Sequence, residues 1–271
     1  MIIRILSALL CGTMMFAAPL PFGNKIAVPI VQMDADSEHY AYVPAFDLRV
    51  GESGEIIRWF DRSHSAIVAR AAVIEVKEGK AKIAFERFKT LDQKAFPNPE
   101  LTPRKNDEVI FRTFYDRAFL IAPNQELYQK IKDAYPEMTW QHPDLFASYL
   151  LDNGTHAPNT EDFRKICDAY SAGIVYIVNL NEGQARDCQT FGLLKKDYIT
   201  GRVAVEDRMK PFFSRLGSIE QSWFNFIIGG VAVEDYYLYY DALLKGQIKD
   251  EDITFFGRVY RYLQDGINKV F

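Results

Sequence analysis

The 271-residue chain contains few of the residue patterns that build reactive centres. It has four histidines, and no two of them stand at His-x-His or i,i+4 spacing, which argues against a zinc site. It also lacks a Gly-x-Ser-x-Gly nucleophile elbow and a complete phosphate-binding glycine loop. The sequence therefore predicts a protein without an enzymatic activity, a metal or a cofactor.

Charge and hydropathy exclude two further classes of protein. The formal net charge of −4 does not fit broad nucleic-acid binding, which needs a basic surface. After residue 18, no segment approaches the roughly 20 consecutive apolar residues of a membrane span, so we expect no integral span in the mature chain. The hydrophobic fraction of 48% is ordinary for a globular protein with an ample core.

The first 18 residues predict an export signal. Arg4 and the amino terminus give a positive start, an apolar run follows over residues 5–16, and the small pair Ala17-Ala18 ends it. The apolar run is too short to cross a bilayer comfortably. The alternative interpretation is a buried first helix or strand. Export would restrict the protein to the cell envelope or beyond.

Two cysteines, Cys167 and Cys188, remain after the predicted signal. An even pair in an exported chain is a disulfide candidate, here between a late helical position and a following strand. The alternative is two buried thiols. A nucleophilic role for Cys188 is disfavoured, because the carboxylate of Asp187 beside it opposes thiolate formation.

The first half of the chain is typical of a small β protein. Residues 19–44 are interpreted as a polar lead-in, and residues 45–122 as a small antiparallel β-barrel of SH3-like or OB-like size. The clearest signal is the period-2 alternation of residues 80–88, which predicts a hairpin with residues 65–76 across Glu78-Gly79.

The second half predicts helices and a hairpin, which makes the whole chain α+β. Residues 123–200 form an α/β unit, with one helix capped by Asn124, a second that begins at His142-Pro143-Asp144, a third capped by Asn159 or Thr160, and a hairpin across residues 181–183. Residues 201–271 predict a helical C-terminal segment. Its many aromatic residues are interpreted as core, with a binding face as the alternative.

Several stretches of the sequence together resemble one family. They occur in order along residues 51–191: Gly51-Glu52-Ser53-Gly54, Asp61-Arg62-Ser63-His64-Ser65-Ala66-Ile67-Val68-Ala69-Arg70, Tyr115-Asp116-Arg117-Ala118 running into Leu120-Ile121-Ala122-Pro123-Asn124, His142-Pro143-Asp144-Leu145-Phe146-Ala147, and Asp187-Cys188-Gln189-Thr190-Phe191. This pattern is similar to the N-terminal region of the plasminogen-binding proteins of Campylobacter- and Helicobacter-type bacteria.

The resemblance implies an exported binding protein in the periplasm or on the outer surface of a Gram-negative cell. Its implied partner is host plasminogen, whose kringles recognise a lysine ammonium with a carboxylate nearby. The candidate contacts are lysines near acidic residues or near the C-terminus: Lys195, Lys196, Lys245, Lys249 and Lys269. Two alternatives are a periplasmic scaffold or assembly protein of an envelope machine, flagellar or secretion-associated, and a hydrolase without a recognised motif.

Overall fold

The computed structural model describes residues 20–88, 101–155, 157–216, 227–228, 231–232, 235–248 and 254–265. Two large β-sheets and five α-helices occupy these ranges, so the predicted α+β class is confirmed. The predicted export signal lies outside the described residues. Within them, no helix has the length and apolar content needed to cross a membrane.

Seven antiparallel strands form the first sheet, in the order β1-β7-β4-β5-β6-β3-β2. These strands are β1 (Ile26–Pro29), β2 (Gln32–Met33), β3 (Tyr40–Pro44), β4 (Ser53–Trp59), β5 (Ser65–Lys77), β6 (Lys80–Arg87) and β7 (Glu108–Phe111). β1 pairs with β7 at one edge, and β2 pairs with β3 at the other. The sheet curls into a half-barrel, in which β1 and β3 from its opposite ends come into contact, and it encloses one apolar cluster that includes Val28, Ile56 and Phe111.

The half-barrel differs from the predicted barrel in its membership. Its strands β1, β2 and β3 lie in the segment interpreted as a lead-in, and β8 (Arg117–Ile121), predicted in the barrel, pairs in the second sheet. Strands of four and two residues, such as β1 and β2, are too short to show the period-2 alternation by which a strand is recognised. The SH3-like and OB-like topologies are not confirmed, and the division of the chain into domains stays a prediction.

The β5–β6 hairpin is confirmed. Its two turn residues, Glu78 and Gly79, have φ values of +50° and +75°, as the turn type favoured in tight hairpins requires. One face of β6 contributes Ala81 and Ile83 to the half-barrel core. The opposite face is partly covered, because Ala84 packs against α5 (Phe255–Asp265).

The second sheet has the order β12-β11-β10-β8-β9. β8 runs parallel to β9 (Thr139–Gln141) and to β10 (Ile174–Asn179), whereas β10, β11 (Glu182–Asp187) and β12 (Leu193–Tyr198) are antiparallel. The sequence predicts one continuous strand after the hairpin turn, over residues 184–194, but a turn after Asp187 divides this segment between β11 and β12. Cys188 therefore lies in this turn and not in a strand.

Three helices flank the second sheet, and each begins where the sequence predicts a helix start. Asn124 caps α1 (Gln125–Ala134), His142 caps α2 (Pro143–Asp152), and Asn159 caps α3 (Thr160–Tyr170). In each case the cap side chain accepts a hydrogen bond from a backbone N–H of the first turn. These local signals fix the helix starts.

α4 (Tyr236–Leu244) covers one face of the second sheet. Tyr236, Tyr239 and Tyr240 are completely buried, and the Tyr236 hydroxyl donates to the carbonyl of Val178 at 2.9 Å. The aromatic residues of this helix are therefore core, as interpreted. The remaining elements are a 3₁₀ turn (Val205–Asp207) and a two-stranded hairpin, β13 (Ile227–Ile228) and β14 (Val231–Ala232).

Candidate functional site

A groove of about 500 Å³ opens between α4 and strands β11 and β12. α4 packs on β10, and the groove lies beside this contact, over the two neighbouring strands of the sheet. Gln184, Arg186 and Lys196 extend from the strands into the groove, and Asp241 and Lys245 line it from the helix. Residues from distant parts of the chain therefore meet at one surface.

Two lysine–carboxylate pairs line this groove. Lys196 Nζ lies 3.1 Å from Glu182 Oε2 across adjacent strands, and Lys245 Nζ lies 2.6 Å from Asp241 Oδ2 along α4. The ammonium of Lys196 and the amide of Gln184 hold the pKa of Glu182 below its ordinary value. The lysine side chains are 49% and 61% exposed, so both ammonium groups are accessible from outside.

Arg186 is buried at the base of the groove. Its guanidinium donates to Gln184 Oε1 at 2.8 and 3.2 Å, to the carbonyl of Phe191 at 2.9 Å and to that of Leu244 at 3.3 Å. All of these acceptors are neutral, and no carboxylate of the described residues forms an ion pair with it. Burial lowers the pKa of Arg186 from its ordinary value.

Lys195 does not line the groove, although it is the direct neighbour of Lys196. Side chains alternate across a strand, so Lys195 points to the opposite face of the sheet. There its Nζ lies 3.1 Å from Asp197 Oδ1 and 2.8 Å from the Tyr135 hydroxyl. Burial alone would lower the pKa of Lys195, but the hydrogen bonds to Tyr135 and Asp197 outweigh it and raise that pKa.

The structure thus separates the lysines that the sequence grouped together. Lys196 and Lys245 are brought to one groove, Lys195 is turned away, and Lys249 and Lys269 lie outside the described residues. The i,i+4 spacing of Asp241 and Lys245 was a readable signal for one pair. The other pair depends on strand register, which the sequence does not reveal.

Cys167 and Cys188 meet at the end of α3. Their Cα atoms are 6.2 Å apart, a separation that a disulfide spans, and their sulfur atoms are in contact. Both residues are buried. The pairing in solution stays a prediction, tested below. Elsewhere in the described ranges, no cluster of three or more His, Cys, Asp or Glu side chains could hold a metal ion.

Comparisons with known proteins point to one family. The family model described as plasminogen-binding protein pgbA N-terminal matches residues 25–244. The chain is 34% identical over 208 residues to the plasminogen-binding protein PgbA of Helicobacter pylori, in strains 26695 and J99. These alignments cover 77% of this chain and 45% of each relative, so they reach about half the length of the relatives. No solved structure matches.

Proposed function

We propose that this chain, which belongs to the plasminogen-binding protein pgbA N-terminal family, binds plasminogen through the groove between α4 and strands β11–β12. The family match extends over residues 25–244 and includes every described residue that lines this groove except Lys245. The observation that carries the proposal is the presence of two exposed lysine–carboxylate pairs on a single concave surface.

The chemistry of these pairs fits recognition by a kringle. A kringle that recognises an ammonium with a carboxylate nearby finds both groups in Lys196–Glu182 and again in Lys245–Asp241. Exposed ion pairs contribute only about 0–1 kcal/mol to folding stability, so exchanging an internal partner for an external one costs little. Two pairs on one groove also allow two contacts with one partner.

We propose further that the protein works outside the cytoplasm, in the periplasm or on the surface of a Gram-negative cell. The support is the signal-like sequence of residues 1–18. Protease treatment of intact cells tests it, because a surface-exposed chain is cleaved whereas a periplasmic one is protected until the outer membrane is opened. An uncleaved leader on a chain recovered with cytosolic proteins would contradict export.

Direct binding with a competitor tests the proposed activity. The full chain is immobilised, plasminogen is passed over it, and the titration is repeated with the lysine analogue 6-aminohexanoic acid. We expect saturable binding that the analogue abolishes, because it occupies the lysine sites of the kringles. Absent binding, or binding that the analogue leaves unchanged, contradicts the proposal.

A second candidate, a periplasmic scaffold or assembly protein, is favoured by one separate observation. Trp59 and Phe60 are 52% and 58% exposed at the turn between β4 and β5, and exposed aromatic residues are frequent anchors of protein interfaces. Cross-linking in intact cells separates the candidates. A scaffold gives a stable complex with an envelope protein, which the double substitution Trp59→Ser and Phe60→Ser abolishes and a lysine analogue does not affect.

A further inference from the structure

The groove between α4 and strands β11–β12 carries more positive charge than its ion pairs neutralise. Four cationic side chains line it, Arg186, Lys196, Arg202 and Lys245, against two acidic ones, so its formal charge is +2. The two acidic groups already pair with the two lysines. Both guanidinium groups therefore remain without a carboxylate partner among the described residues.

The buried guanidinium is the most informative of these groups. Arg186 is 5% exposed, and a charge at this depth is normally paired. Its bonds to Gln184, Phe191 and Leu244 use four of its five N–H donors, which leaves one donor on Nη1 without an acceptor in the part of the chain that is described. A hydrogen bond from this charged donor to a carboxylate or a phosphate would be stronger than one to a neutral acceptor.

A buried hydrogen-bond acceptor at the groove also lacks a donor among the described residues. Asn179 is 6% exposed and lines the groove, and its Oδ1 accepts no hydrogen bond from any residue that the structure describes. An unsatisfied buried acceptor destabilises the folded protein, and a donor on a ligand would offset that cost. The groove thus offers an anion site and an acceptor for an N–H group.

The lining of the groove also has an apolar part, which a ligand would have to cover. Leu180, Leu193 and Leu244 border the same groove, whose volume of about 500 Å³ is that of a small-ligand site. An inorganic anion would use the cations and leave these leucines uncovered. A peptide C-terminus supplies all three features, since it carries a carboxylate, an adjacent amide N–H and a side chain.

We propose that this groove binds a peptide C-terminus with an apolar last residue. The carboxylate pairs with Arg186 and Arg202, the last amide N–H donates to Asn179 Oδ1, and the apolar side chain packs on the leucines. The inference goes beyond the proposed function, because it concerns the base of the groove and a ligand other than a kringle.

Calorimetric titration with matched short peptides tests the proposal on the full chain. The probe is acetyl-glycyl-leucine, compared at constant ionic strength with its C-terminal amide, with its N-methyl-leucine analogue and with inorganic phosphate. We expect saturable binding of the acid, with an affinity at least about tenfold higher than that of the amide or of phosphate, and weaker binding of the N-methyl analogue. Equal affinities of the acid and the amide, tighter binding of phosphate, or no binding of the acid overturns the proposal.

Substitutions then locate the site without disturbing the core. Arg202 is exposed, so Arg202→Gln leaves the fold intact, and we expect it to weaken binding of the acid at least about fivefold. Lys195→Gln, on the opposite face of β12, is the matched control and leaves the affinity unchanged. An Arg202→Gln chain that binds like the unchanged protein, or an equal loss in both variants, overturns the placement. Plasminogen is absent from these titrations, so their outcome is separate from that of the proposed function.

Discussion

The carboxylate of Asp187 accepts a 2.7 Å hydrogen bond from the hydroxyl of Ser53, 134 residues away in the chain. The same oxygen accepts from the backbone N–H of Ser53 and from the Tyr115 hydroxyl, and the other oxygen accepts from the N–H groups of Gln189 and Thr190. Asp187 is completely buried. Three of the stretches that carry the family resemblance therefore meet at this carboxylate, which joins the half-barrel to the second sheet.

Replacing this carboxylate tests its role. Asp187→Asn is expected to lower the free energy of unfolding by about 2–4 kcal/mol, because the amide nitrogen would face donors that now bond an oxygen. Urea denaturation measures the change. Asp133→Asn is the matched control, since Asp133 is exposed on α1 and accepts from Gln129; we expect less than about 0.5 kcal/mol there. Equal effects of the two substitutions would contradict the assignment.

A close approach of two backbones at the same junction predicts a second effect. A Cβ on Gly192 would lie 2.7 Å from the Cα of Gly51 and 2.9 Å from its carbonyl oxygen. Because backbone cannot move aside as a side chain can, Gly192→Ala is expected to destabilise by about 2 kcal/mol or more. A Cβ on Gly79 would have no described atom within 4 Å. Gly79→Ala is therefore expected to destabilise only through the strain of the left-handed φ, by about 1 kcal/mol. Thermal unfolding compares the two.

Glu55 on β4 predicts a pH-dependent gain in stability. Burial raises the pKa of this carboxyl and Asp168 raises it further, although Arg70 and Lys25 act in the opposite direction. The folded state therefore prefers neutral Glu55, so the cost to folding grows as the pH rises from the ordinary glutamate pKa to the raised pKa and is constant above it. We expect Glu55→Gln to increase the free energy of unfolding at pH 7, with the gain vanishing below the ordinary glutamate pKa of 4.5.

Denaturation curves of both chains between about pH 3 and about pH 8, a range that brackets the ordinary glutamate pKa, measure this difference. Glu137→Gln, at an exposed position, is the control for removing one charge from the protein. A gain that is constant with pH, or equal in the control, would show that ionisation of Glu55 is not its cause.

The Cys167–Cys188 pair predicts resistance to alkylation. With 21 residues of separation, a bridge stabilises by about 3 kcal/mol through the constrained unfolded chain. Under denaturing, non-reducing conditions we expect neither cysteine to take up iodoacetamide, so that only Cys11 reacts in a chain that retains its leader. Two further alkyl groups in the mass spectrum would end the prediction. A Cys167→Ala, Cys188→Ala chain should unfold identically with and without reductant.

The lysines of the groove predict a graded loss of plasminogen binding. The double substitution Lys196→Gln and Lys245→Gln is expected to weaken binding about tenfold or more, which corresponds to about 1.4 kcal/mol. Lys195→Gln removes one positive charge from the other face of β12 and should change the affinity less than about twofold. Surface plasmon resonance with plasminogen compares them. An equal loss of affinity in both chains would indicate that binding depends on the overall charge of the protein and not on the groove.

Local chemistry was readable in advance, and long-range pairing was not. The helix starts at Asn124, His142 and Asn159 can be predicted because a cap interacts only with the next two or three residues. The hairpin at Glu78-Gly79 can be predicted because its tight turn requires positive φ at two adjacent residues. Short strands such as β1 carry no comparable signal, since their partners lie some 80 residues away in sequence.

The sequence by itself determined where three helices begin, the longest hairpin, the α+β class and the family. Only the tertiary structure decided which lysines share a surface. Strand alternation turns Lys195 and Lys196 to opposite faces, and the packing of α4 on β10 brings Lys245 to the groove beside Lys196. The physical reason is that a side chain's face follows from sheet register and helix docking, which depend on contacts between residues far apart in the chain.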